Sequence, residues 1–381
     1  MNKTVYLDNN STTPVDPLVF EQMCPYFTEI FGNPSNQHHY AGSKAARAVE
    51  KARSQIAAAV GAEPSSVVFT SGATESNNLA ILGACGARQS VPGHIVTSAI
   101  EHKAVIEPCR TLEAAGWHVT FLRPDKNGCV DWRAVDDAIT PETALVSIMA
   151  ANNEVGTIQP IERIGEVCDR RGVLFHCDAA QALGRIPVDV GQWNADLLSL
   201  SAHKAYGPKG VGALVIRDQR QSELIRPLAF GGGQESGVRP GTLAVPSIVG
   251  FGAAAELAIA NLKSEPERLR SLRQELLSRL LVVCPCLVVH GQPSDGLPGL
   301  LSVGFPQVNG DEFLFALRDV AISQGAACTA GSPEPSHVLT AMGIGYDLAR
   351  SSFRFGIGRF TTLEDITHAA AEVSRVLSLL T

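Results

Sequence analysis

The segment LSLSAHKAYGPKG, Leu198 to Gly210, carries the clearest structural signal in the chain. An apolar strand pattern ends within it just before Lys204, and a glycine–proline turn comes after this lysine. In a doubly wound sheet, ligands bind just beyond the carboxyl ends of the parallel strands, so Lys204 would stand at the ligand edge. A lone loop lysine is usually only a solvated cation, and its meaning therefore depends on the surrounding segments.

Short apolar runs alternate with amphipathic stretches on both sides of this segment. The predicted strands are 67–70, 94–98, 119–122, 144–150, 173–177, 197–201 and 212–216, and the predicted helices include 45–60, 74–87 and 161–171. Near-continuous apolar strands separated by helices are typical of an α/β fold with a mostly parallel, doubly wound sheet.

Two further segments place polar groups at the same edge. LFHCDAAQALG puts Asp178 at the end of a strand, with Gln181 three residues later, and FTSGATESNN runs from a strand through Gly72 into a helix. A helix N-terminus favours an anion such as a phosphate. A cofactor with a pyridine ring needs a carboxylate near its ring nitrogen and a lysine for a Schiff base.

Composition bounds the possible partners and location. The 381 residues carry a net charge of −7, which gives no electrostatic case for stable nucleic-acid or anionic-membrane binding. The start, MNKTVYLDNNSTTP, lacks an apolar signal-peptide core, so a cytoplasmic protein is expected. The longest apolar stretch begins at Leu243 and contains Pro246 and Glu256, which favours a buried helix over a membrane span.

The nine cysteines are scattered along the chain. An odd number without a signal peptide favours a reducing compartment, with most of the thiols buried and inert. Only Cys284 and Cys286 are close together, and no second Cys/His pair stands at zinc spacing. The sequence therefore predicts no metal site.

A change in composition predicts two domains. A charged helical stretch begins at Glu256, and beyond it come LLSVGFP, a helix near 312–320 and a closing helix at 363–380. We predict a large domain over 15–255 and a smaller α+β domain formed by 1–14 and 256–381.

In order, the motifs resemble those of the cysteine desulfurases, which are pyridoxal-phosphate enzymes of fold type I in aminotransferase class V. The segments are YLDNNSTTPVDP, FGNPSNQHHYAG, EHKAV, NNEVG, SAHKAYGPKG, RPGTLAV, the Cys328 loop and SSFRFGIGRFTT. The resemblance covers essentially the whole chain and implies a large domain with a mostly parallel seven-stranded sheet.

This resemblance implies roles for the residues around the cofactor ring. Lys204 would hold pyridoxal phosphate and shuttle protons, while Asp178 would pair with the pyridine nitrogen. Gln181 would bond to the phenolic oxygen, and His102 would stack on the ring and act as an acid–base group. Asn153 would orient the ring oxygen and the substrate side.

The resemblance also assigns the phosphate and substrate groups. Thr74, Ser201 and His203 would bind the phosphate with help from the Ala73 backbone amide. Thr242 would reach the phosphate of a neighbouring subunit, which implies a homodimer. Arg354 would clamp the substrate carboxylate, since its planar fork suits bidentate binding. Asn33 and His38 would shape the entrance rather than act in catalysis.

The loop SQGAACTAGSPEPSH, Ser323 to His337, holds Cys328 among small and polar residues, which predicts a mobile surface loop over about 323–336. In the family, an enzyme thiolate takes sulfur from L-cysteine, leaves alanine, and passes the persulfide sulfur to an acceptor. The loop length resembles that of the NifS/IscS-like, group I enzymes, so Cys328 is expected to carry the sulfur.

Three departures from the family pattern bear on the acceptor. Ala202 stands where glycine is common, and SQGAAC replaces SSGSAC beside the thiol. The sequence ends at Thr381, without the tail that often docks an iron–sulfur scaffold. We therefore expect either an iron–sulfur scaffold or a tRNA- or DNA-thiolation enzyme as acceptor.

The sequence is also compared with what other functions would require: the alternatives are other enzymes of the same fold, a sulfur-relay subunit and a nucleotide-binding protein. A selenocysteine lyase, or another class V aminotransferase or lyase, would share the fold, although most of these do not need a loop thiol. A catalytically dead sulfur-relay subunit would not need Lys204, Asp178, His102 and Arg354 together. A nucleotide-binding Rossmann protein is not supported, because no GxGxxG follows the first strand.

Overall fold

The computed structural model describes residues 4–87, 92–218, 225–292, 294–325 and 334–380. Its strands are β1 Val5–Tyr6, β2 Val67–Thr70, β3 His94–Ser98, β4 His118–Leu122, β5 Thr143–Ser147, β6 Leu174–Asp178, β7 Leu197–Ser201, β8 Gly212–Ile216, β9 Val288–His290, β10 Leu300–Gly304, β11 Val320–Ala321 and β12 Ser352–Gly356.

Fourteen α-helices accompany these strands in the described ranges. They are α1 Pro17–Met23, α2 Pro25–Thr28, α3 Tyr40–Ala59, α4 Ala73–Asn78, α5 Ala84–Ala87, α6 Lys103–Ala114, α7 Trp132–Ala138, α8 Ile161–Arg171, α9 Val245–Asn261, α10 Glu265–Val283, α11 Gly310–Ala316, α12 His337–Ala341, α13 Tyr346–Arg350 and α14 Leu363–Leu380. A π-helical turn, Leu79–Gly83, joins α4 to α5 within the predicted helix 74–87.

The central sheet has seven strands in the order β2-β8-β7-β6-β5-β3-β4, and it confirms the predicted α/β fold. The ladders from β7 to β4 are parallel, whereas β8 runs antiparallel to both of its neighbours. Strand β5 ends at Ser147, three residues before the predicted end. Beyond it, the Ile148 and Ala150 amides still donate to β6 oxygens, outside the regular ladder.

Helices cover this sheet and bury its strands. Every residue of β2, β3, β5, β7 and β8 is buried, as expected for strands packed on both faces. The main apolar cluster joins residues of α3, including Ala45 and Ile56, to Phe251 of α9. Close packing of these two helices depends on small side chains: a Cβ at Gly252 would lie 2.6 Å from the Ala52 Cα.

A second apolar cluster lies outside the large sheet and combines both ends of the chain. It includes Leu7 near the N-terminus, Leu276 of α10 and Val373 of α14, packed against the antiparallel sheet β12-β10-β9. The predicted domain boundary at residue 255 falls inside the continuous helix α9. We therefore propose that the chain passes between the two domains after α9, before Glu265.

Half of the eight described cysteines are buried, fewer than the sequence led us to expect. Cys85, Cys109, Cys168 and Cys177 are buried, Cys129 and Cys284 are half-buried, and Cys24 and Cys286 are exposed. Burial raises the pKa of the Cys168 thiol to about 12 and that of Cys177 well above its usual value. The buried thiols are therefore poor nucleophiles.

Among the described residues, no single helix has the length and apolar character needed to cross a membrane. Helices α9 and α10 meet that requirement only as a pair bent by 75°.

Candidate functional site

A cavity of about 520 Å³ opens at the carboxyl ends of β6 and β7. All residues predicted to act in catalysis or to bind cofactor or substrate, except Thr242 and Cys328, line it: Ala73, Thr74, His102, Asn153, Asp178, Gln181, Ser201, His203, Lys204 and Arg354. Asp178 ends β6, Ser201 ends β7, and the two strands are parallel. Both side chains therefore lie at the ligand edge that the sequence predicted.

Lys204 ends a short 3₁₀ turn that follows β7. Its Nζ atom donates to the backbone oxygens of Asn10, 2.7 Å away, and Ser11, 2.5 Å away. Burial lowers the pKa of the amine to about 7, and the positive charges of Arg354 and Arg185 add to this effect. A large fraction of the amine is therefore neutral and nucleophilic near neutral pH.

Asp178 is buried and held by two donors. Its Oδ2 accepts a hydrogen bond from Asn77 Nδ2 at 2.7 Å, and its Oδ1 accepts from the Ala180 amide at 2.9 Å. Each carboxylate oxygen has more than one lone pair, so either can accept a further proton donor from the cavity. A protonated ring nitrogen would be such a donor.

The turn before α4 is shaped for the close approach of an anion. Gly72 has a φ of 153° and caps α4 without a side-chain hydrogen bond, and a Cβ there would meet nothing within 4 Å. The neighbouring strand passes close behind this turn, because a Cβ at Gly212 would lie 2.7 Å from the Gly72 Cα. Both positions therefore require glycine, which leaves the first amides of α4 open to the cavity.

His203 contributes a neutral ring to the same end of the cavity. Burial, reinforced by the charges of Lys204, Lys209 and Arg185, lowers its pKa to about 4. Its Nδ1 is 3.1 Å from the Thr12 hydroxyl. At neutral pH the ring can thus offer one N–H hydrogen bond to a phosphate but no charge.

His102 lies at the N-terminus of α6, where its Nδ1 accepts a hydrogen bond from the Ala104 amide at 3.1 Å. This bond assigns the proton of the neutral ring to Nε2. Burial lowers the pKa of His102, and the charges of Lys204 and His337 lower it further, while Asp178 opposes the shift. A neutral ring on the cavity wall can stack on an aromatic ligand.

Arg354 lies on β12 and reaches the cavity with only 2% of its surface exposed. Its terminal nitrogens donate to the Asn153 oxygen at 2.7 Å, to Asp8 Oδ1 at 2.8 Å and to the Ser11 hydroxyl at 2.6 Å. Its buried Nε has no hydrogen-bond partner among the described residues. The guanidinium is therefore fixed in place and retains a donor.

The Gln181 side chain has a defined orientation. Its Oε1 accepts hydrogen bonds from Arg185 and, at 3.1 Å, from Asn10 Nδ2, while its Nε2 donates to the Asn10 oxygen at 2.9 Å. An amide nitrogen carries two hydrogens, so Nε2 can also donate to a ligand oxygen.

Several residues at or beside this site were not predicted from the sequence. Asn10, Ser11 and Thr12 line the cavity, although YLDNNSTTPVDP served only as one of the segments that carry the family resemblance. Half-buried Arg185 was also not predicted, since a cation four residues after Gln181 in a turn looks like a surface residue. The close approach of these groups depends on contacts between distant parts of the chain.

Glu101 precedes His102 in the EHKAV motif, but it does not itself line the cavity. It is fully buried, and its Oε1 accepts from the Ser98 hydroxyl at 2.7 Å and the Met149 amide at 3.0 Å. Its Oε2 has no hydrogen-bond partner in the described part of the chain. Burial raises its pKa to about 8, so the carboxyl is largely protonated at neutral pH.

Some predicted residues lie elsewhere. Thr242, Asn33 and His38 are exposed and do not line the cavity. Cys328 lies outside the described residues, but both flanks of its loop are anchored beside the cavity. Ser323 pairs with Arg354 through a backbone bridge, and the Ser336 hydroxyl donates to Glu154 at 2.5 Å.

The residues present fit pyridoxal phosphate. The cavity combines a nucleophilic amine at Lys204, a carboxylate at Asp178, and an open helix N-terminus at Gly72. Arg354 lines the cavity, and its buried Nε has no hydrogen-bond partner among the described residues, so a bound group can satisfy it. The volume of the cavity lies within the usual range of roughly 300–1,000 Å³ for small-molecule sites.

Comparisons with known proteins show the family of the chain. The family model for aminotransferase class-V matches residues 5–368. The chain is 47% identical, over 97% of its length, to a cysteine desulfurase of Mus musculus, of which it covers 80%. It is 50% identical, again over 97% of its length, to the cysteine desulfurase IscS of Anaeromyxobacter sp. (strain Fw109-5), of which it covers 91%.

Two solved structures show the same architecture. A NifS-like protein aligns with a TM-score of 0.92 at 37% identity, covering 99% of this chain and 100% of that one. SspA in complex with cysteine aligns with a TM-score of 0.82 at 41% identity, covering 94% of this chain and 100% of that one.

Proposed function

Because this chain belongs to the class V aminotransferases and is a pyridoxal-phosphate-dependent cysteine desulfurase, we propose a role for each cavity residue and for Cys328. The observation that carries this assignment is the convergence of Lys204, Asp178 and Arg354 on one cavity. The three residues come from β6, the turn after β7, and β12, which are far apart in sequence.

The cofactor, when bound, supplies an electron sink for charge that develops at the substrate α-carbon. Lys204 provides the amine that holds the cofactor and then takes or gives a proton at Nζ. Its lowered pKa supports this role, since the amine can change protonation state near neutral pH. Asp178 keeps the ring nitrogen protonated, and His102 packs against the ring face.

The phosphate is held at the start of α4. The Ala73 amide and the Thr74 hydroxyl lie at the open helix N-terminus, and Ser201 and His203 line the same cavity. Because His203 is neutral, most of the favourable charge comes from the helix end and from Lys209, which also lines the cavity. Gln181 donates to the phenolic oxygen through Nε2.

Arg354 binds the substrate carboxylate. Its guanidinium already pairs with the Asp8 carboxylate at 2.8 Å, so the substrate replaces or joins an existing partner in a buried setting. Asn153 helps to hold the clamp, because its backbone oxygen accepts from Arg354 at 2.7 Å. An arginine held by three partners loses little side-chain entropy on binding.

Cys328 carries the sulfur. Its thiolate attacks the sulfur of L-cysteine, an S–S bond forms as the C–S bond breaks, and alanine is left. The anchors at Ser323 and Ser336 support this role because they place both flanks of the loop beside Arg354 and Glu154. The sulfur then passes to an acceptor protein, either an iron–sulfur scaffold or a thiolation enzyme.

We also propose a cytoplasmic homodimer. Thr242 is exposed outside its own cavity, which is consistent with contact to a partner's phosphate. Large apolar side chains are exposed near the N-terminus and beside the Thr242 segment, as expected for a surface that a second subunit covers: Phe27, Phe31, Tyr40 and Phe230.

Brief turnover with sulfur-labelled L-cysteine tests the carrier assignment. The labelled sulfur should appear on the peptide that contains Cys328, should be removed by reductant, and should be absent after Cys328→Ser. The serine variant should still bind the cofactor, because Lys204 and Asp178 are unchanged. Cys24→Ser serves as a matched control for an exposed thiol and should label Cys328 normally. Label on another cysteine alone would refute the assignment.

A further inference from the structure

Two thiols lie close together at the C-terminal end of α10, a helix that contributes to the second apolar cluster. Cys284 caps this helix, and its Sγ lies 3.4 Å from the Sγ of Cys286. Cys286 is exposed and Cys284 is half-buried, so solvent and small reagents reach the pair. Neither residue lines the cavity described above.

A tight turn holds the two sulfur atoms together. The Leu287 amide donates to the Cys284 oxygen at 3.1 Å, which closes a four-residue turn with Pro285 in its second position. Proline has a fixed φ, so the turn loses less conformational freedom than an ordinary one. The short contact between the thiols is thus built into the backbone.

We propose that Cys284 and Cys286 form a reactive surface dithiol, which low-molecular-weight disulfides such as glutathione disulfide oxidise to an intramolecular disulfide. This modification site is separate from Cys328 and does not depend on the roles proposed for the cavity.

The reaction balances as two thiol–disulfide exchanges. One cysteine thiolate attacks a sulfur of glutathione disulfide, forms a mixed disulfide and releases one glutathione thiolate. The second cysteine then attacks the protein sulfur of this mixed disulfide and releases the second glutathione. The two protein thiols are oxidised, the small disulfide is reduced to two thiols, and the thiol protons end on the released glutathione or in solvent.

The environment of each thiol sets the order of the two steps. Cys286 is the more exposed, so it meets the reagent first. Burial and the neighbouring Cys286 thiol raise the pKa of Cys284, which makes it the poorer nucleophile toward a reagent in solution. Proximity compensates for that in the second step, because the Cys284 sulfur is already within 3.4 Å of its target.

The test treats the full-length holoenzyme with a series of glutathione disulfide-to-glutathione ratios, followed by acid quenching, trypsin and mass spectrometry. The tryptic peptide 280–318 contains both cysteines and no others. It should lose two hydrogens and carry no glutathione. Cys24, an exposed thiol remote in sequence, should instead collect glutathione, and only at higher ratios.

Single substitutions separate the two steps. Cys284→Ser should trap glutathione on Cys286, whereas Cys286→Ser should react several-fold more slowly. A doubly substituted Cys284→Ser, Cys286→Ser enzyme should keep its desulfurase activity, which shows that the protein is folded. The proposal is overturned if the native peptide stays reduced while Cys24 reacts, or if it keeps a glutathione adduct as Cys24 does. Either result leaves the roles of Lys204 and Cys328 untouched.

Discussion

The guanidinium of Arg185 donates to the backbone oxygen of Lys204 across 3.3 Å, so a half-buried cation adjoins this lysine. The same guanidinium donates to the Asn9 oxygen at 2.9 Å and to Gln181. Its charge helps to lower the pKa of Lys204, after burial and Arg354. Arg185 thus positions the lysine backbone and favours the neutral amine.

Arg185→Met should raise the pKa of Lys204 above its native value of about 7. Removing a nearby positive charge makes the protonated amine less costly, so the variant amine should react more slowly near pH 7 and at the native rate at high pH. The pH dependence of Lys204 modification by an amine reagent, followed by peptide mass spectrometry on cofactor-free protein, measures this change. Arg185→Lys keeps the charge and should titrate close to the native protein; equal pKa values in all three proteins would contradict the prediction.

The Glu101→Gln variant should lose less stability than the native protein as the pH rises from 5 to 8. The folded-state pKa of Glu101, about 8, exceeds the unfolded value, so the folded protein binds more protons and its stability falls between about pH 4.5 and 8. The glutamine variant lacks this ionisation. Its free energy of unfolding, relative to that of the native protein, should therefore rise by up to roughly 3 kcal/mol between pH 5 and 8. Urea unfolding of cofactor-free protein at both pH values measures the difference. A constant difference at the two values would show that Glu101 does not titrate in this range.

Arg354→Ala should weaken L-cysteine binding by roughly 2–5 kcal/mol, because a buried carboxylate would lose its charged partner. The effect should appear mainly in KM, measured by alanine release under steady-state conditions. Arg354→Lys should recover only part of the loss, since an ammonium cannot reproduce the planar fork. An unchanged KM in the alanine variant would mean that another group binds the carboxylate.

Thr242→Ala should weaken cofactor binding without altering the residues that line the same subunit's cavity. The loss of one hydrogen bond to a phosphate corresponds to roughly 1–3 kcal/mol. Equilibrium dialysis measures the cofactor affinity, and sedimentation at micromolar concentration shows whether the protein is a dimer. Thr367→Ala removes an exposed hydroxyl that does not line the cavity, and it serves as the matched control. A fully active monomer would exclude the shared site.

The large sheet was predictable because each of its strands is a short apolar run, and helices separate most of the strands along the chain. All seven strands of this sheet were located by that pattern. The antiparallel direction of Gly212–Ile216 could not be predicted, since a buried strand has the same composition in either direction. The end of the Thr143–Ser147 strand was also missed, because the apolar run continues past the regular ladder.

The cavity was predictable where a functional residue directly follows a strand, as at Asp178 and Lys204. Sequence spacing could not reveal Asn10 or Arg185, because their positions depend on packing between distant segments. It could not show that Arg354 pairs with Asp8, which lies near the opposite end of the chain. Local patterns predict elements, whereas such contacts follow from the tertiary fold.

Residues 5–13 join the part of the chain that carries Arg354 to the turn that carries Lys204. Val5 pairs with Val320 in the part that carries Arg354, while the Thr13 amide donates to the His203 oxygen, next to Lys204, at 3.0 Å. Between these two contacts the chain makes a turn, in which the Ser11 amide donates to the Asp8 oxygen at 2.9 Å. The same turn contacts both side chains, because Arg354 donates to the Asp8 and Ser11 side chains and Lys204 donates to the Asn10 and Ser11 oxygens, so a substitution that altered the turn would disturb both of them together.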